Sequence, residues 1–390
     1  MTTYEKTHPW LSFSLDLHKS DYLLWLALGE ARSKSEHIAG VPLRPATAEK
    51  LHSIYLAKGA MATTAIEGNT LSEEEVLARV EGKLKLPPSK EHLGQEIDNI
   101  IEACNEISNK LFTGEQINLD TESIKRFNQL VLKNLPHDDD VNPGKIRGHK
   151  VGVGRYLAAP PEDCEVLLNK LCEWLNEKFE APEGLEMVFG ILKAIVAHLY
   201  LVWIHPFGDG NGRTARLVEF QILISSGVPS AAAHLLSNHY NLTRQAYYRQ
   251  LDYARKPQVG IISFIQYAIQ GFVDGLQEQI ELIRTQQWDV TWRNYVHEMF
   301  KDKTTAADHR RRHLVLDLSA KDTPIPLNQI RLISTRLAEA YATKKSKTIA
   351  RDINELITMD LIEKTPEGIR ARREKILAFL PARINGDQAQ

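Results

Sequence analysis

The chain has 390 residues, with 48 lysines and arginines against 50 aspartates and glutamates. This length predicts two or three structural units, and the balance of charge gives no overall signal for nucleic-acid binding. Three scattered cysteines without a Cys-x-x-Cys pair predict neither a disulfide framework nor a zinc site. Because the first residues lack the pattern of a secretory signal peptide, we expect a cytoplasmic protein with no membrane partner.

Residues 1–88 are predicted to form an N-terminal helical region. Leu51–Ala62 is rich in good helix formers, and Gly68 and Asn69 are typical of a helix end. Glu67 is therefore expected in the last helical turn, where the helix dipole disfavours a negative charge by about 0.3–1 kcal/mol. A residue set against local preference can mark a function. A solvated glutamate at a helix end is the alternative.

The predicted core spans residues 89–279 and contains one segment that is not helical. A turn at residues 142–144 (Asn-Pro-Gly) precedes residues 145–158, where Val151 and Val153 alternate with other residues. This pattern predicts a short β-hairpin in an otherwise helical chain. Such a hairpin is marginal alone, but its open edge can accept a strand from a partner. A hairpin with a purely structural role is the alternative.

Two apolar helices are predicted on either side of a glycine-rich loop. Residues 186–204 are apolar nearly all round, which indicates a buried helix, and Pro206 ends it. Helical periodicity returns over residues 214–226 and stops at Gly227. The loop therefore leads into a helix N-terminus, whose unpaired N–H groups and positive dipole end favour phosphate.

The side chains of this loop suit a polyphosphate site. Glycines let the backbone approach a ligand closely, and they are Gly208, Gly210 and Gly212. Arg213 and Arg216 supply two planar cations for phosphate oxygens. Asp209 would repel phosphate unless a Mg²⁺ ion bridges them, and Mg²⁺ commonly binds one carboxylate together with phosphate oxygens. His205 has an ordinary pKa near ~6.5 and suits proton removal from a hydroxyl.

Other polar residues of the core receive more ordinary interpretations. His198 lies in the apolar helix, and a hydrogen-bonded core histidine is the favoured interpretation. The run at 137–140 (His-Asp-Asp-Asp) is interpreted as a solvated loop, since no second group of metal ligands lies nearby at helical spacing. Residues 237–251 are predicted to be helical and to pack after the core.

The C-terminal region, residues 280–390, differs from the rest. Residues 326–341 and 346–359 are predicted amphipathic helices, and a hairpin pattern follows them, which is the outline of a winged helix. Residues 301–390 hold 18 basic and 12 acidic residues, a net charge of +6. The second helix carries side chains suited to a DNA groove, namely Lys347, Arg351 and Asn354. A module for protein interaction or dimerisation is the alternative.

The loop sequence His-Pro-Phe-Gly-Asp-Gly-Asn-Gly-Arg-Thr-Ala-Arg at 205–216 resembles the signature of the Fic family, HPFx(D/E)GNGRxxR, with every fixed position filled. The resemblance implies an all-α fold: a Fic-type helical core with a small β-hairpin flap, joined here to the winged-helix-like region. It also implies AMP transfer from ATP to a Ser, Thr or Tyr hydroxyl of a protein. Candidate partners are a protein substrate, the chain itself included, a second copy in a homodimer, and DNA.

By the same resemblance, His205 is the general base, Asp209 holds Mg²⁺ and Arg216 contacts the γ-phosphate. The stretch at 237–251 would wall the adenine site. The implied ATP-binding residues are Gly208, Gly210, Asn211, Gly212, Arg213, Arg216, Asn241 and Tyr248. The flap would position the target segment by main-chain pairing, and its candidate residues are Val151, Val153, Arg155 and Tyr156.

Thr63-x-x-x-Glu67-Gly68 resembles the inhibitory motif (S/T)xxxE(G/N) of the family. The resemblance implies that Glu67 pairs with Arg216 and prevents productive placement of the γ-phosphate. The sequence therefore predicts a self-inhibited protein adenylyltransferase. The alternatives are a de-AMPylase, a Fic enzyme that transfers another phosphate-linked group, and a DNA-binding regulator that senses nucleotide.

Overall fold

The structure, a computed structural model, describes residues 3–43, 45–114, 118–154, 156–256 and 260–377. The chain divides into two compact units, residues 1–280 and 281–390. The boundary falls within one long helix, Gly260–Met299. Helices dominate both units, and each unit has one two-stranded antiparallel hairpin among its described residues. The prediction of an all-α fold with small hairpins is confirmed.

The elements of the first unit are the helices α1 (Thr3–Thr7), α2 (Tyr22–Gly40), α3 (Pro45–Ala65), α4 (Glu73–Val80), α5 (Glu91–Phe112), α6 (Thr121–Val131), α7 (Cys164–Lys178), α8 (Glu186–Ile204), α9 (Asn211–Ser225), α10 (Leu235–Leu242) and α11 (Arg244–Tyr253), with strands β1 (Gly152–Val153) and β2 (Tyr156–Leu157). Helix α12 (Gly260–Met299) belongs to both units. The second unit contains α13 (Ala306–Ser319), α14 (Thr335–Tyr341), α15 (Ser346–Thr358), β3 (Ile362–Thr365) and β4 (Gly368–Ala371). Short 3₁₀ turns lie at Leu17–Lys19, Pro88–Lys90, Pro161–Asp163, Leu327–Leu332 and Arg373–Leu377.

Helix α8 is the centre of the first unit and packs most extensively against α9. Of its 19 residues, 14 are buried, because its sequence is apolar on every face. Among the described helices, it is also the one long and apolar enough to cross a membrane by length and composition alone. Of that apolar window, 78% is buried inside the protein. Its apolar surface is therefore covered mostly by neighbouring helices.

The N-terminal region contributes to the same core. Buried side chains from both sides of position 88 pack into one hydrophobic cluster, among them Leu28, Ile66, Val76, Ile97 and Ile195. Helix α3 contacts α5, α9 and α10, which brings its C-terminal end beside the glycine-rich loop. The packing of α3 thus decides which residues of the N-terminal region can reach the loop.

The hairpin of the first unit is shorter than the predicted segment 145–158. Its strands have two residues each, and Gly152 pairs with Leu157 and Val153 with Tyr156. The residues before β1 form turns, because Arg147 ties this segment to the glycine-rich loop rather than to a strand partner. Arg155, a predicted flap residue, lies outside the described residues.

The second unit has its own hydrophobic cluster, which includes Trp292, Leu314, Leu356 and Ile369. Helices α13, α14 and α15 precede the hairpin β3–β4, and Ile325 adds an isolated bridge to Ile369. The prediction of one helix over 326–341 is wrong for its first half, which is a 3₁₀ turn. Helix α14 begins only after Ser334, whose side chain accepts a hydrogen bond from the Leu337 N–H as an N-cap.

Replacing Ile195 by alanine should test the central place of α8. Ile195 is fully buried, so we expect the free energy of unfolding to fall by about 2–5 kcal/mol through lost contacts and a residual cavity. Leu242→Ala is the control, because Leu242 is 82% exposed and its removal should change stability by less than about 0.5 kcal/mol. Urea denaturation measures both. Equal effects of the two changes would contradict the packing described for α8.

Candidate functional site

The glycine-rich loop between α8 and α9 has a defined backbone path. Helix α8 ends at Ile204 because His205 adopts a left-handed conformation (φ 52°) and Pro206 has no N–H. Gly210 precedes α9 in a left-handed conformation (φ 74°), which glycine adopts without steric cost. The first turn of α9, whose N–H groups are free of helical partners, therefore opens towards the loop.

The side chain of Asn211 closes this loop on itself. Its Oδ1 accepts a hydrogen bond from the Phe207 N–H at 2.9 Å, and its Nδ2 donates to the Phe207 carbonyl at 2.8 Å. Asn211 was expected to hold phosphate, and the structure gives its amide side chain this other contact instead. At this position, the backbone N–H groups of the loop are available to an anion, whereas the Asn211 side chain is not.

Two residues outside the motif hold the loop in place. Arg147 donates from Nε to the His205 carbonyl at 2.7 Å. Asn128 of α6 donates from Nδ2 to the Asp209 carbonyl at 2.9 Å and accepts from the Gly144 N–H at 2.9 Å. Both side chains are buried. Sequence reasoning missed them, since a lone arginine and a lone asparagine give no signal until the fold brings them to the loop.

The imidazole of His205 is oriented for proton transfer. Its Nδ1 lies 3.2 Å from the Val202 carbonyl, which can only accept, so Nδ1 carries the proton and Nε2 keeps a free lone pair. Burial lowers the pKa of His205 and outweighs the Val202 carbonyl and the charges of Glu67 and Asp209, which raise it. The ring is therefore neutral at neutral pH, as a base must be.

Glu67 and Arg216 form an ion pair beside the loop. Helix α3 ends at Ala65, so Glu67 lies in the turn that follows the helix. The prediction that Glu67 lies in the last helical turn is therefore wrong. Arg216 donates from Nη2 to Glu67 Oε1 at 2.6 Å and to the Thr63 carbonyl at 2.8 Å. Thr63 thus acts through its backbone. The Arg216 side chain is 1% exposed, whereas that of Glu67 is 36% exposed.

The charges of the pair stabilise each other. Partial burial acts to raise the pKa of the Glu67 carboxyl, but the charge and hydrogen bond of Arg216 outweigh it, and this pKa lies below its usual range. Burial likewise acts against the charged form of Arg216, and the Glu67 carboxylate reverses that effect, so the pKa of Arg216 is raised. A buried guanidinium needs such a partner, since an unpaired buried charge is strongly unfavourable.

Gly212 makes this contact sterically possible. A Cβ atom at position 212 would lie 2.1 Å from Glu67 Oε1 and 3.1 Å from Arg216 Nη1. A side chain at position 212 would therefore displace the Glu67 carboxylate from its contact with Arg216. The same space is what an anion would need in order to approach the helix N-terminus.

Arg213 of α9 and Asp209 of the glycine-rich loop form a second pair. Arg213 is 5% exposed and donates to Glu96 Oε1 at 3.1 Å and to Asp209 Oδ2 at 3.2 Å. Arg213 does not line the cavity described below. The Asp209 side chain is 52% exposed and does line it. One exposed carboxylate beside an anion site fits Mg²⁺, which takes its other ligands from phosphate and water.

A cavity of about 630 Å³ joins the loop, Glu67, the hairpin and α11. The predicted site residues that line it are Glu67, Val153, Tyr156, His205, Gly208, Asp209, Gly210, Asn211, Gly212, Arg216 and Tyr248. Val151 and Asn241 are described and lie outside this lining. The stretch 237–251, expected to wall the adenine site, also contributes Tyr247 and Leu251. Lining residues outside every predicted site segment include Trp203, Asp252 and Arg255.

The wall near the hairpin is aromatic. The Tyr156 hydroxyl donates to the Trp203 carbonyl, and the Arg255 guanidinium lies 4.7 Å from the centre of the Tyr156 ring. His198 is fully buried and its Nε2 lies 3.0 Å from the Tyr247 hydroxyl, so it is the hydrogen-bonded core histidine that was predicted. The described residues contain no cluster of three or more metal-ligating side chains, and residues 137–140 form an exposed loop.

Known proteins resemble the part of the chain that contains the glycine-rich loop. Residues 118–223 match the model of the Fic/DOC family. The chain is 31% identical to protein adenylyltransferase fic-1 of Caenorhabditis elegans over 223 residues, which are 57% of this chain and 41% of that protein. It is 33% identical to protein adenylyltransferase Fic of Nematostella vectensis over 187 residues, which are 47% of this chain and 42% of that protein. The chain thus spans about two fifths of these relatives.

Solved structures show the same fold. Fic-1 (residues 134–508) of C. elegans has 25% sequence identity and a TM-score of 0.54, covering 68% of this chain and 74% of that one. A Fic family protein from Desulfovibrio desulfuricans G20 has 21% identity and a TM-score of 0.52, covering 88% and 95%. The fold and loop define a protein with a Fic domain. Residues 118–223 form a domain that matches the Fic/DOC family.

Replacing Glu67 by glutamine should lower the pKa of His205 further. The Glu67 charge raises this pKa in the resting protein, whereas burial and the charge of Arg147 lower it. Without the Glu67 charge, the two lowering effects are opposed less strongly. The ordinary histidine value is about 6.5, and we expect values below it in both proteins. NMR titration of the imidazole measures the change. Glu74→Gln, an exposed carboxylate on α4, is the matched control, and a higher pKa in Glu67→Gln would refute the electrostatic assignment.

Proposed function

We propose that this protein is a protein adenylyltransferase that transfers AMP from ATP to a hydroxyl group of a target protein and is inhibited at rest by Glu67. The observation that carries the proposal is a neutral, oriented His205 in the same cavity as the ion pair of Glu67 and Arg216. The names of the relatives support the reaction class.

The cavity has the parts that ATP needs. The first turn of α9 and Arg216 present N–H donors and a buried positive charge to a triphosphate. Tyr248 is 41% exposed on the cavity wall beside Tyr247, and such aromatic surface suits a purine. Asp209 fits Mg²⁺, which would neutralise phosphate charge when bound.

The proposed reaction needs one base and precise positioning. His205 takes the proton of the target hydroxyl at Nε2, and the hydroxyl oxygen attacks the α-phosphorus of ATP. A new oxygen–phosphorus bond forms, the bond from the α-phosphorus to the bridging oxygen of the β-phosphate breaks, and pyrophosphate leaves. Placement and charge stabilisation supply most of the rate in phosphoryl transfer. The hairpin edge β1–β2 at the cavity is the proposed docking place for the target backbone.

Self-inhibition follows from competition for one guanidinium. A phosphate oxygen and the Glu67 carboxylate both prefer the same donors of Arg216, and a planar guanidinium offers them limited positions. Because the carboxylate is already part of the chain, its local concentration is high, and it occupies Arg216 until displaced. Glu67 lies after the end of α3 in a turn, where a small backbone change would move it away.

The variant Glu67→Gly should increase AMP transfer from α-labelled ATP by about tenfold or more. Loss of a competing interaction of about 1.4 kcal/mol changes an equilibrium tenfold. Glu74→Gly, which removes an exposed carboxylate outside the cavity, is the control and should leave labelling unchanged. Adding His205→Ala to Glu67→Gly should abolish labelling. Label that persists without His205 would overturn its role as base.

The same assay distinguishes AMP transfer from the two alternative enzymatic functions. Transfer of label from γ-labelled but not α-labelled ATP would indicate a different phosphate-linked group. Loss of AMP from a modified target, dependent on Glu67, would indicate de-AMPylation. Performed in lysate with Glu67→Gly, the assay also identifies the target, the chain itself included.

A second candidate function, DNA binding, is supported by the outer face of α15. Lys347, Arg351 and Asn354 are exposed at positions i, i+4 and i+7, so they share one helix face. Neither Lys347 nor Arg351 has a carboxylate partner among the described residues of the second unit. Most neighbouring arginines do have one: Arg310, Arg311, Arg336, Arg370, Arg372 and Arg373. Lys347 and Arg351 are thus two positive charges on one face of α15 that are unpaired among the described residues.

The double variant Lys347→Glu and Arg351→Glu should weaken binding of the full chain to a duplex of about 30 base pairs by about tenfold or more at low salt. Each lost phosphate contact also reduces the dependence of affinity on salt. Lys301→Glu and Lys321→Glu, with the same change of charge elsewhere in the second unit, are the matched control. Fluorescence anisotropy across salt concentrations measures both. If neither protein binds DNA and the double variant instead changes the oligomeric mass, α15 serves a homodimer.

A further inference from the structure

A polar cluster that takes no part in the proposed chemistry is buried beside Arg216. Glu219 follows Arg216 by three residues in α9 and is 1% exposed. Its Oε1 accepts a hydrogen bond from the Tyr240 hydroxyl at 2.9 Å, and its Oε2 lies 3.9 Å from His198 Nδ1. His198 in turn contacts Tyr247, which lines the cavity. The cluster thus connects the wall of the cavity to a carboxyl group deep in the core.

Arg216 requires a negative neighbour in every state of the protein. Its guanidinium is buried, and its Nε has no hydrogen-bond partner in the described structure. Glu67, the carboxylate bonded to it, keeps a third of its side chain exposed and lies in a turn, so it is the partner that can leave. Glu219 is a second carboxyl group, three residues after Arg216 and therefore on a neighbouring face of α9. In its ionised form it favours the charged form of Arg216.

The groups that face Glu219 are electrically neutral at neutral pH, apart from Arg216. Burial raises the pKa of Glu219 to about 8, against the opposing effects of Tyr240 and Arg216. Burial, helped by Arg216, holds the pKa of His198 well below its ordinary value. Burial also raises the pKa values of Tyr240 and Tyr247. While Glu67 neutralises Arg216, Glu219 is therefore mostly protonated.

Removal of the Glu67 charge changes this balance. Arg216 is then less neutralised, and its positive charge favours the ionised form of Glu219 more strongly. Arrival of a triphosphate supplies negative charge again and favours the protonated form. The ionised form of Glu219 is favoured in both cases, when the Glu67 side chain moves away and when a mutation removes it.

We propose that Glu219 is a second, buried carboxyl partner of Arg216, a positioning residue that takes up the counter-charge when Glu67 leaves and gives it up when a triphosphate binds. In the first step Glu219 releases a proton to solvent, and in the second it takes one back. The guanidinium thereby keeps its charge and its position in the cavity. This inference rests on the proposed function, because it assumes that phosphate and Glu67 compete for Arg216.

Proton uptake on binding of Mg-ATP tests the inference. The full chain with Glu67→Gly is titrated with Mg-ATP by calorimetry in buffers of different ionisation enthalpy at a pH of about 7.5, where ATP itself takes up few protons. We expect uptake of a large part of one proton for each nucleotide bound. The double variant Glu67→Gly and Glu219→Gln keeps the size of the side chain but cannot ionise. It should bind Mg-ATP with this uptake lost, and unchanged uptake would overturn the inference.

Two further variants in the Glu67→Gly background keep the test decisive. Tyr240→Phe removes a hydrogen bond that lowers the pKa of Glu219, so the pH of maximal uptake should move upward even if Glu219→Gln fails to fold. His205→Ala should retain the uptake. If the uptake is lost in the His205→Ala variant and persists in the Glu219→Gln variant, the proton binds His205 and the inference is overturned. Failure of Glu67→Gly to bind Mg-ATP would overturn the proposed function itself.

Discussion

A positive charge enclosed by helices is the constraint on which the rest of this structure depends. The guanidinium of Arg216 lies in α9 with 1% of its side chain exposed, so water cannot solvate it. It must be paired, and the space above Gly212 decides what can pair with it. Glu67 fills that space in the described state. A phosphate group also carries negative charge, and its oxygens accept hydrogen bonds as those of a carboxylate do, which makes exchange between the two chemically reasonable.

The loop between α8 and α9 is held from several directions, which suits a site that must bind a charged ligand without rearrangement. Asn211 closes the loop from within, while Arg147 and Asn128 bind its carbonyls from the hairpin segment and from α6. The two helices it joins form the best-packed pair of the first unit. Fixed backbone N–H groups and a fixed imidazole cost little reorganisation when a reaction occurs.

The two units distribute charge differently. In the first unit, the buried ion pair and the neutral cluster around Glu219 concentrate electrostatic effects near one cavity. In the second, Asp352 is buried and accepts hydrogen bonds from Arg310, Arg311 and Tyr341, so one buried carboxylate is shared by two guanidiniums. Lys347 and Arg351 of α15 are exposed and, within the described part of the chain, unpaired, and they form the surface for which DNA is the candidate partner.

Several features could be predicted from the sequence because their causes are local. Pro206 and the glycines end one helix and open the next whatever surrounds them, and an apolar run such as 186–204 must be buried. The helical fold, the loop and the candidate base His205 follow from such patterns. The contact of Glu67 with Arg216 was expected only by resemblance to a family. Tertiary structure alone brings Asn128, Arg147 and Glu219 to the site, and turns Arg213 towards Glu96. These contacts join residues far apart in the chain, and no local preference of a single side chain encodes its distant partner.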